Sequence, residues 1–223
     1  MLTWDFSEKH NFMLNKKEEN ISLLKEEEKY KCILIFGPPG VGKGTIGKFI
    51  SNVGGQFHLS SGEIFRSLSP DSPTGKIYFK YASNGNLVPN QETIDIWNCY
   101  VKGLIATNRF FPKKQDLLLD GIPRTLEQAR ILDDYIRVKH IIVLQEKNQE
   151  TLFERLQKRA KIEGRIDDFN IEILKKRLEI YQNETAKVLQ HYSSEKISYF
   201  NAEQKPLEVF RDILLKLSDI LTY

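Results

Sequence analysis

A glycine-rich loop followed by a lysine is the part of this sequence whose residue types and spacing point most directly to chemistry. Residues 37–45 read Gly-Pro-Pro-Gly-Val-Gly-Lys-Gly-Thr and contain the pattern G-x-x-x-x-G-K. The loop follows the apolar run 32–36 and opens a predicted helix, which starts at Lys43 and ends near Gly54 and Gly55. Glycines let consecutive backbone N–H groups converge on phosphate oxygens, and the helix N-terminus adds positive potential. We therefore predict a phosphate-binding loop in which Lys43 reaches the bridging and terminal phosphates.

The residue after this lysine distinguishes the loop from phosphate-binding loops that have serine or threonine at this position. It is Gly44 rather than serine or threonine, and the hydroxyl comes one position later, from Thr45. Gly-x-Pro-Gly-x-Gly-Lys-Gly-Thr is the form of the loop in nucleoside monophosphate kinases, so this segment resembles the adenylate kinase family. The resemblance continues in order over residues 31–223 and implies an α/β, three-layer P-loop fold with a central parallel five-stranded sheet. The ATP contacts that it implies in the loop are Gly40, Val41, Gly42, Lys43, Gly44 and Thr45.

The resemblance places the acceptor nucleotide on a segment that follows the loop helix. Residues 58–66 are similar to the family's Ser-Thr-Gly-Asp-x-x-Arg, with Ser61 in place of threonine and Glu63 in place of aspartate. Both replacements keep the functional group. Arg66 falls about one turn into a predicted helix, from which its guanidinium can pair bidentately with a monophosphate. Residues 85–89 resemble Gly-x-Leu-Val, whose backbone and valine pack against the acceptor base. The AMP contacts implied here are Ser61, Arg66, Asn86, Leu87 and Val88.

The sharpest match is the segment 117–128, Leu-Leu-Leu-Asp-Gly-Ile-Pro-Arg-Thr-Leu-Glu-Gln. An acid at the end of a buried strand beside a phosphate loop can hold the water shell of a magnesium ion, and Asp120 occupies that place. The family's usual Gly-Phe-Pro-Arg carries Ile122 here in place of phenylalanine. By resemblance, Arg124 binds the acceptor phosphate and Gln128 hydrogen-bonds its base. The AMP contacts implied in this segment are Gly121, Ile122, Pro123, Arg124 and Gln128.

A set of arginines later in the chain resembles the family's closing region. Arg155 and Arg159 lie one helical turn apart and share a face. The order Arg-x-x-x-Arg, Gly-Arg-x-Asp-Asp and Lys-Arg-Leu then continues through Arg165 and Arg177. The resemblance implies that Arg155 stacks on the donor adenine and that Arg159 and Arg165 contact the transferring phosphates. Arg177 would bridge acceptor and transferred groups, Arg165 and Arg177 would also touch AMP, and Gln204 would belong to the ATP site. The implied catalytic residues are Lys43, Arg124, Arg159, Arg165 and Arg177.

Phosphoryl transfer needs two polyanions brought into line in a dry site, with their charge compensated. The cations implied for this purpose are Lys43, Arg66, Arg124, Arg159, Arg165 and Arg177. Such a cluster would repel itself in an empty, closed site, so we expect an open resting state that closes on substrate. The moving parts would be an acceptor-binding helical insert at about 60–90 and a short lid at about 160–168, within a kinase domain at 31–223. The interval 160–164 between the two lid arginines leaves no room for a longer, zinc-binding lid.

The resemblance implies the reaction MgATP + AMP ⇌ 2 ADP. Pyrimidine monophosphate kinases usually carry alanine at the position of Ser61 and asparagine-based motifs after Gly-Phe-Pro-Arg, whereas Gln128 is typical of AMP recognition. A UMP/CMP kinase of the same fold is the first alternative. A nucleotide-binding regulatory protein without transfer activity is the second, and the completeness of the charged site argues against it. ATP is the expected donor, although the same residues suit GTP.

Composition limits the other function classes. The net charge of +3 arises from 33 basic and 30 acidic residues, which gives no reason to expect nucleic-acid binding. Apolar runs fall far short of the roughly 18 residues that a membrane span requires. Cys32 and Cys99 stand apart from the scattered histidines, so we expect free thiols and no zinc. The N-terminal extension, residues 1–30, lacks the apolar core of a signal peptide. A cytoplasmic location is therefore expected, and the resemblance implies a monomer with ATP, AMP and ADP as its ligands.

Short apolar runs alternate with helical patterns along the chain. The predicted strands are 32–36, 116–120, 140–144, 197–200 and, more weakly, 56–60. Helices are predicted after Asn90, taken as an N-cap, and from Pro206, with one long charged helix from Arg165 to Tyr192. Strands that alternate with helices predict a doubly wound parallel sheet buried on both faces.

Overall fold

Five parallel strands form a single sheet at the centre of the chain. The structure is a computed structural model that describes residues 26–164 and 169–221. The strands are β1 (Tyr30–Phe36), β2 (Phe57–Ser60), β3 (Leu117–Asp120), β4 (Ile136–Gln145) and β5 (Ile197–Asn201). Their order across the sheet is β2-β3-β1-β4-β5. Each strand was predicted from its apolar run, and the parallel α/β class is confirmed.

Helices cover both faces of this sheet. Alternate residues of β1 enter different clusters, because successive side chains of a strand point to opposite faces. Cys32 and Leu34 pack on one side against helices that include Trp97, whereas Ile33 and Ile35 pack on the other. The helices are α1 (Lys43–Gly54), α2 (Ser61–Arg66), α3 (Pro73–Ala82), α4 (Asn90–Ala106), α5 (Leu126–Leu132), α6 (Gln149–Glu163), α7 (Ile171–Asn183) and α8 (Pro206–Leu221). The architecture therefore has three layers, with the sheet in the middle.

Helix termini agree with the sequence signals in most places. α1 begins at Lys43 and ends before Gly55, whose φ of 74° lies in the left-handed region that favours glycine. α8 begins at Pro206, as predicted. The N-cap of α4 is Pro89, so the prediction of Asn90 as the cap was wrong by one residue. Within 26–164 and 169–221, no helix combines the length and the apolar composition needed to cross a bilayer.

The prediction of one long helix from Arg165 to Tyr192 was wrong. α7 starts at Ile171 because the Asn170 side chain accepts hydrogen bonds from the first N–H groups of the helix. It ends at Asn183, and a 3₁₀ helix follows over Thr185–His191. Contacts of this second segment with the core outweigh the helical propensity of its residues, since Val188 is fully buried. Residues 165–168, including Arg165, lie outside the described part of the chain.

A glycine on α1 lies against a histidine of β2, which gives a prediction about stability. A Cβ added to Gly47 would stand 2.4 Å from Nε2 of His58, whereas a Cβ added to Gly103 of α4 meets no atom within 4 Å. We expect Gly47→Ala to lower the free energy of unfolding by about 1–3 kcal/mol through overpacking. Gly103→Ala should raise it by about 0.5–1 kcal/mol, because alanine favours the helix. Urea unfolding measures both, and equal effects of the two variants would contradict this packing.

Candidate active site

A cavity of about 580 Å³ brings together nearly all the residues predicted to bind nucleotides. It lies where β1 and β3 end, next to the glycine-rich loop and the helices α2, α3, α6 and α7. The predicted residues that line it are Gly40, Val41, Gly42, Lys43, Gly44, Thr45, Arg66, Asn86, Leu87, Val88, Asp120, Gly121, Ile122, Pro123, Arg124, Gln128, Arg155, Arg159, Arg177 and Gln204. Ser61 is not among them, and Arg165 lies outside the described residues.

The glycine-rich loop has backbone conformations that favour glycine. Gly40 and Gly42 have φ values of 84° and 103°, and a Cβ at Gly40 would stand 2.7 Å from the Leu152 carbonyl oxygen. Only glycine therefore fits at Gly40 without strain. No side chain caps the N-terminus of α1, which starts immediately after the loop. The N–H groups of its first turn have no partners within the helix and can bind an anion.

Lys43 spans this loop. Its ammonium donates hydrogen bonds to the carbonyl oxygens of Gly37 at 2.8 Å and Pro38 at 3.0 Å. Burial lowers the pKa of Lys43 to about 8, although the Asp120 carboxylate acts in the opposite direction. The positive charges of Arg124, Arg159 and Arg177 lower the pKa further. Lys43 thus lies close enough to three of the other predicted cations to be affected by their charge, and such an arrangement favours the binding of an anion.

Asp120 lies at the centre of these cations. It ends β3, whose pairing with β1 sets it opposite Ile35, just before the loop, and it is 7% exposed. A Cβ at Gly44 would stand 3.8 Å from an Asp120 carboxylate oxygen, so the carboxylate lies against the start of α1. Magnesium prefers oxygen ligands and is usually held by one or two carboxylates together with water and phosphate oxygens. Asp120 fits that role.

No group of three or more histidine, cysteine, aspartate or glutamate side chains occurs at metal-binding distances within 26–164 and 169–221. A magnesium ion at Asp120 would therefore share its coordination sphere with the phosphates of a ligand and with water. The absence of zinc stays a prediction from the sequence.

Arg124 is held by its own loop at the other side of the cavity. Its backbone N–H donates to Gln128 Oε1 at 2.7 Å, and its Nε donates to the Gly121 carbonyl oxygen at 2.7 Å. Burial lowers the pKa of Arg124 to about 10; Arg177 contributes to this shift and Asp120 opposes it. A positive group that is buried beside another positive group has a strong tendency to pair with a phosphate.

The structure gives Gln128 and Ser61 different roles. Gln128 lines the cavity, and the N–H donor from Arg124 fixes which end of its amide is the oxygen. Its NH₂ group is therefore the end that can donate to a base. Ser61 is 2% exposed, and its hydroxyl donates to the Gly121 carbonyl oxygen at 2.8 Å. Ser61 thus supports the loop that carries Arg124, and its predicted contact with AMP stays a prediction.

Two aromatic residues that line the cavity were missed by the sequence analysis. Phe65 of α2 and Tyr78 of α3 stack with ring centroids 5.3 Å apart and an angle of 13° between their planes. Both line the cavity, as does Val88. The pair forms an apolar wall of the kind that receives a planar base. The two residues belong to different helices and share no sequence motif. Their stacking is therefore visible only in the folded structure.

On the donor side, Arg155 and Gln204 are both oriented by neighbouring groups. Both terminal nitrogens of Arg155 donate to the Ala202 carbonyl oxygen at 3.2 Å, and the guanidinium pairs with Glu146 at 3.4 Å. The Glu146 side chain is 2% exposed and the Arg155 side chain 35%, so the carboxylate is shielded from water while the guanidinium is partly open to it. Gln204 Nε2 donates to Asp212 Oδ2 at 2.9 Å. These contacts hold two predicted donor-site residues at the cavity edge without using a ligand.

Comparison with known proteins identifies the family. The family model described as adenylate kinase matches residues 35–197, which include the loop, Asp120 and most of the arginines. The chain belongs to the adenylate kinase family. An adenylate kinase of Porphyromonas gingivalis is 34% identical over 171 residues, which cover 74% of this chain and 84% of that protein. Adenylate kinase isoenzyme 1 of Sus scrofa is 32% identical over 195 residues, 86% of this chain and 97% of that protein.

A third relative, the adenylate kinase of Flavobacterium psychrophilum, is 31% identical over 194 residues, or 85% of this chain and 97% of that protein. The resemblance inferred from the motifs is therefore confirmed. As a member of the adenylate kinase family, the chain is a nucleoside monophosphate kinase.

Proposed function

We propose that the protein is a magnesium-dependent ATP:AMP phosphotransferase that converts MgATP and AMP reversibly into two ADP. The observation that carries this proposal is the shared cavity. One space is lined by the phosphate loop with Lys43, by the arginines of an acceptor site, and by the carboxylate of Asp120 between them. The names of the relatives, all adenylate kinases, support the same assignment.

The residues of the cavity act by position and charge. Lys43 and the N-terminus of α1 would bind the donor's terminal phosphates, while Arg66, Arg124 and Arg177 would bind the monophosphate. Their mutual repulsion in the empty site is relieved when the anions arrive, so both substrates are drawn to adjacent places. Magnesium, held by Asp120 through water, would supply further compensation of the charge on the transferring group. No protein nucleophile is needed.

AMP is the proposed acceptor because of the groups available to its base. The amide NH₂ of Gln128 can donate to a ring nitrogen, and the stacked pair of Phe65 and Tyr78 offers an apolar wall. A site that hydrogen-bonds one base rejects analogues which leave its polar groups unpaired. UMP or CMP is the alternative acceptor, and ATP is the proposed donor.

We also propose that the insert and the short lid close over the two substrates. A monomeric state and a cytoplasmic location stay predictions.

The test of this proposal is ADP formation from MgATP with AMP, UMP, CMP and GMP in parallel. We expect kcat/KM with AMP to exceed that with each other acceptor by roughly 10²-fold or more. Preference for UMP or CMP would show that Gln128 does not read the base as proposed. No turnover with any acceptor, from a chain that still binds ATP, would favour a regulatory protein.

The lowered pKa of Lys43 predicts a pH-dependent step in ATP binding. Because burial lowers this pKa to about 8, the ligand-free protein loses the Lys43 proton as the pH rises through that value. A bound triphosphate favours the charged ammonium and raises the pKa again. ATP binding at about pH 8.5 should therefore take up about three-quarters of a proton, whereas binding near pH 6 should take up almost none at this group. Calorimetry in buffers of different ionisation enthalpy measures the uptake, and Lys43→Met should abolish it. The same uptake in that variant would contradict the assignment.

A further inference from the structure

The break between α7 and the 3₁₀ helix places the Thr185 hydroxyl next to the backbone of Arg124, the arginine proposed to bind the acceptor phosphate. Thr185, the first residue of the 3₁₀ helix, donates a hydrogen bond of 2.9 Å to the backbone carbonyl oxygen of Arg124. Thr185 is 8% exposed and lines the cavity. The bond joins positions 61 residues apart in the sequence, so it links two separate parts of the fold.

This bond differs in kind from the other hydrogen bonds of Arg124. Those bonds go to Gly121 and Gln128, which belong to the same loop and to α5. They fix the shape of the loop and its junction with α5, the helix that directly follows it. The bond from Thr185 reaches Arg124 from the segment that follows α7, the helix that carries Arg177. The bond therefore connects the loop that carries Arg124 to the segment that follows the helix of Arg177. Both arginines are predicted phosphate ligands.

The 3₁₀ helix is itself fastened along α5. At its far end, His191 Nε2 lies 2.7 Å from a carboxylate oxygen of Asp133, the C-cap residue that follows α5. Between the two ends, Val188 is fully buried in the core cluster that also contains Ala129 and Leu132 of α5. The segment is thus held at both ends and packed in the middle. Because the segment that carries the donor is held in place, its hydrogen bond can fix the position of the accepting carbonyl group of Arg124.

We propose that Thr185 is a positioning residue which holds Arg124 at a fixed distance from Arg177, so that both guanidiniums converge on one acceptor phosphate. Two neighbouring guanidiniums repel each other, and an anchored backbone keeps Arg124 from moving away while the site is empty. Thr185 acts through Arg124 and needs no contact with substrate. The inference rests on the proposed function for its substrate, because the phosphate in question belongs to the acceptor.

The test compares Thr185→Val, which keeps the shape but removes the hydroxyl, with Thr185→Ser, which keeps the hydroxyl. For Thr185→Val we expect kcat/KM with AMP to fall roughly tenfold, because a partly buried carbonyl loses its donor and the arginine is released. The KM for ATP should change less than about twofold, and Thr185→Ser should retain most of the activity. Equal losses in the two variants, or equal effects on AMP and ATP, would overturn the proposal.

His191→Gln provides the control for a purely structural effect. It removes the imidazole that contacts Asp133 at the far end of the same segment, so it should lower Tm while KM for AMP stays within about twofold of wild type. A rise in the KM for AMP as large as that of Thr185→Val would show that general loosening of the segment is sufficient.

A crystal structure of Thr185→Val gives a readout that does not depend on turnover. We expect Arg124 to be displaced relative to Arg177 in this variant. If Arg124 has not moved, the proposal is overturned, whatever the activity of the variant. Wild-type turnover with the four acceptors decides separately on the proposed function. A silent wild type with a displaced Arg124 in the variant would reject the function and keep the positioning role.

Discussion

Lys43→Ala is expected to lower kcat for ADP formation by roughly 10³-fold, because it removes a positive charge placed at the phosphates of the donor. The structure shows why the loss should be large. The ammonium is enclosed by the loop, and its pKa of about 8 reflects burial beside Arg124, Arg159 and Arg177. Steady-state assays with saturating MgATP and AMP measure the change.

The fold should tolerate this substitution. The ammonium contacts the Gly37 and Pro38 carbonyl oxygens, and losing these bonds should lower the free energy of unfolding by no more than about 1–2 kcal/mol. Lys102→Ala is the matched control, since Lys102 is an exposed lysine on the helix α4. It should leave kcat unchanged. Near-normal turnover by a folded Lys43→Ala variant would remove the basis for assigning the loop to the donor phosphates.

Arg124→Ala should act on the acceptor side. We expect the KM for AMP to rise roughly 10²-fold, because a charged group that hydrogen-bonds the phosphate is lost. The KM for ATP should change little, since the Arg124 loop lies between β3 and α5 and not on the donor loop. Initial rates over a grid of AMP and ATP concentrations separate the two effects.

Arg130→Ala is the control for this second substitution. Arg130 lies on α5, exposed to solvent, and its contact is with Glu127 at 3.5 Å. Removing such a surface pair should change the KM for AMP by less than about twofold. If Arg124→Ala and Arg130→Ala raised the KM for AMP equally, Arg124 would not be the phosphate ligand.

The strands and the phosphate loop could be predicted because their signals are local. A buried parallel strand such as 32–36 is an uninterrupted apolar run, and the glycines of the loop stand where left-handed φ values are required. The position of Asp120 at the end of a strand could be predicted in the same way, because Asp120 directly follows the apolar residues of that strand. Since these features depend on neighbouring residues, the structure reproduces them with small shifts at helix termini.

The features that escaped prediction depend on contacts between distant segments. The chain leaves the helical path at Glu184 because Thr185 and Val188 find partners in α5 and its preceding loop. The stacking of Phe65 on Tyr78 requires α2 and α3 to meet. The hydrogen bond from the Ser61 hydroxyl to the Gly121 carbonyl oxygen joins positions 60 residues apart, and the motif that contains Ser61 did not predict it. Periodicity and motif spacing contain no information about such pairings.

The central claim is that the cavity transfers a phosphoryl group from one nucleotide to another. The most direct measurement follows the fate of the γ-phosphoryl group of labelled MgATP in the presence of AMP. The account predicts that the label appears in the β-phosphate of ADP, with two ADP formed for each ATP consumed and loss of transfer in Lys43→Ala. Release of the label as inorganic phosphate, or no consumption of ATP by the folded wild-type protein, would contradict it.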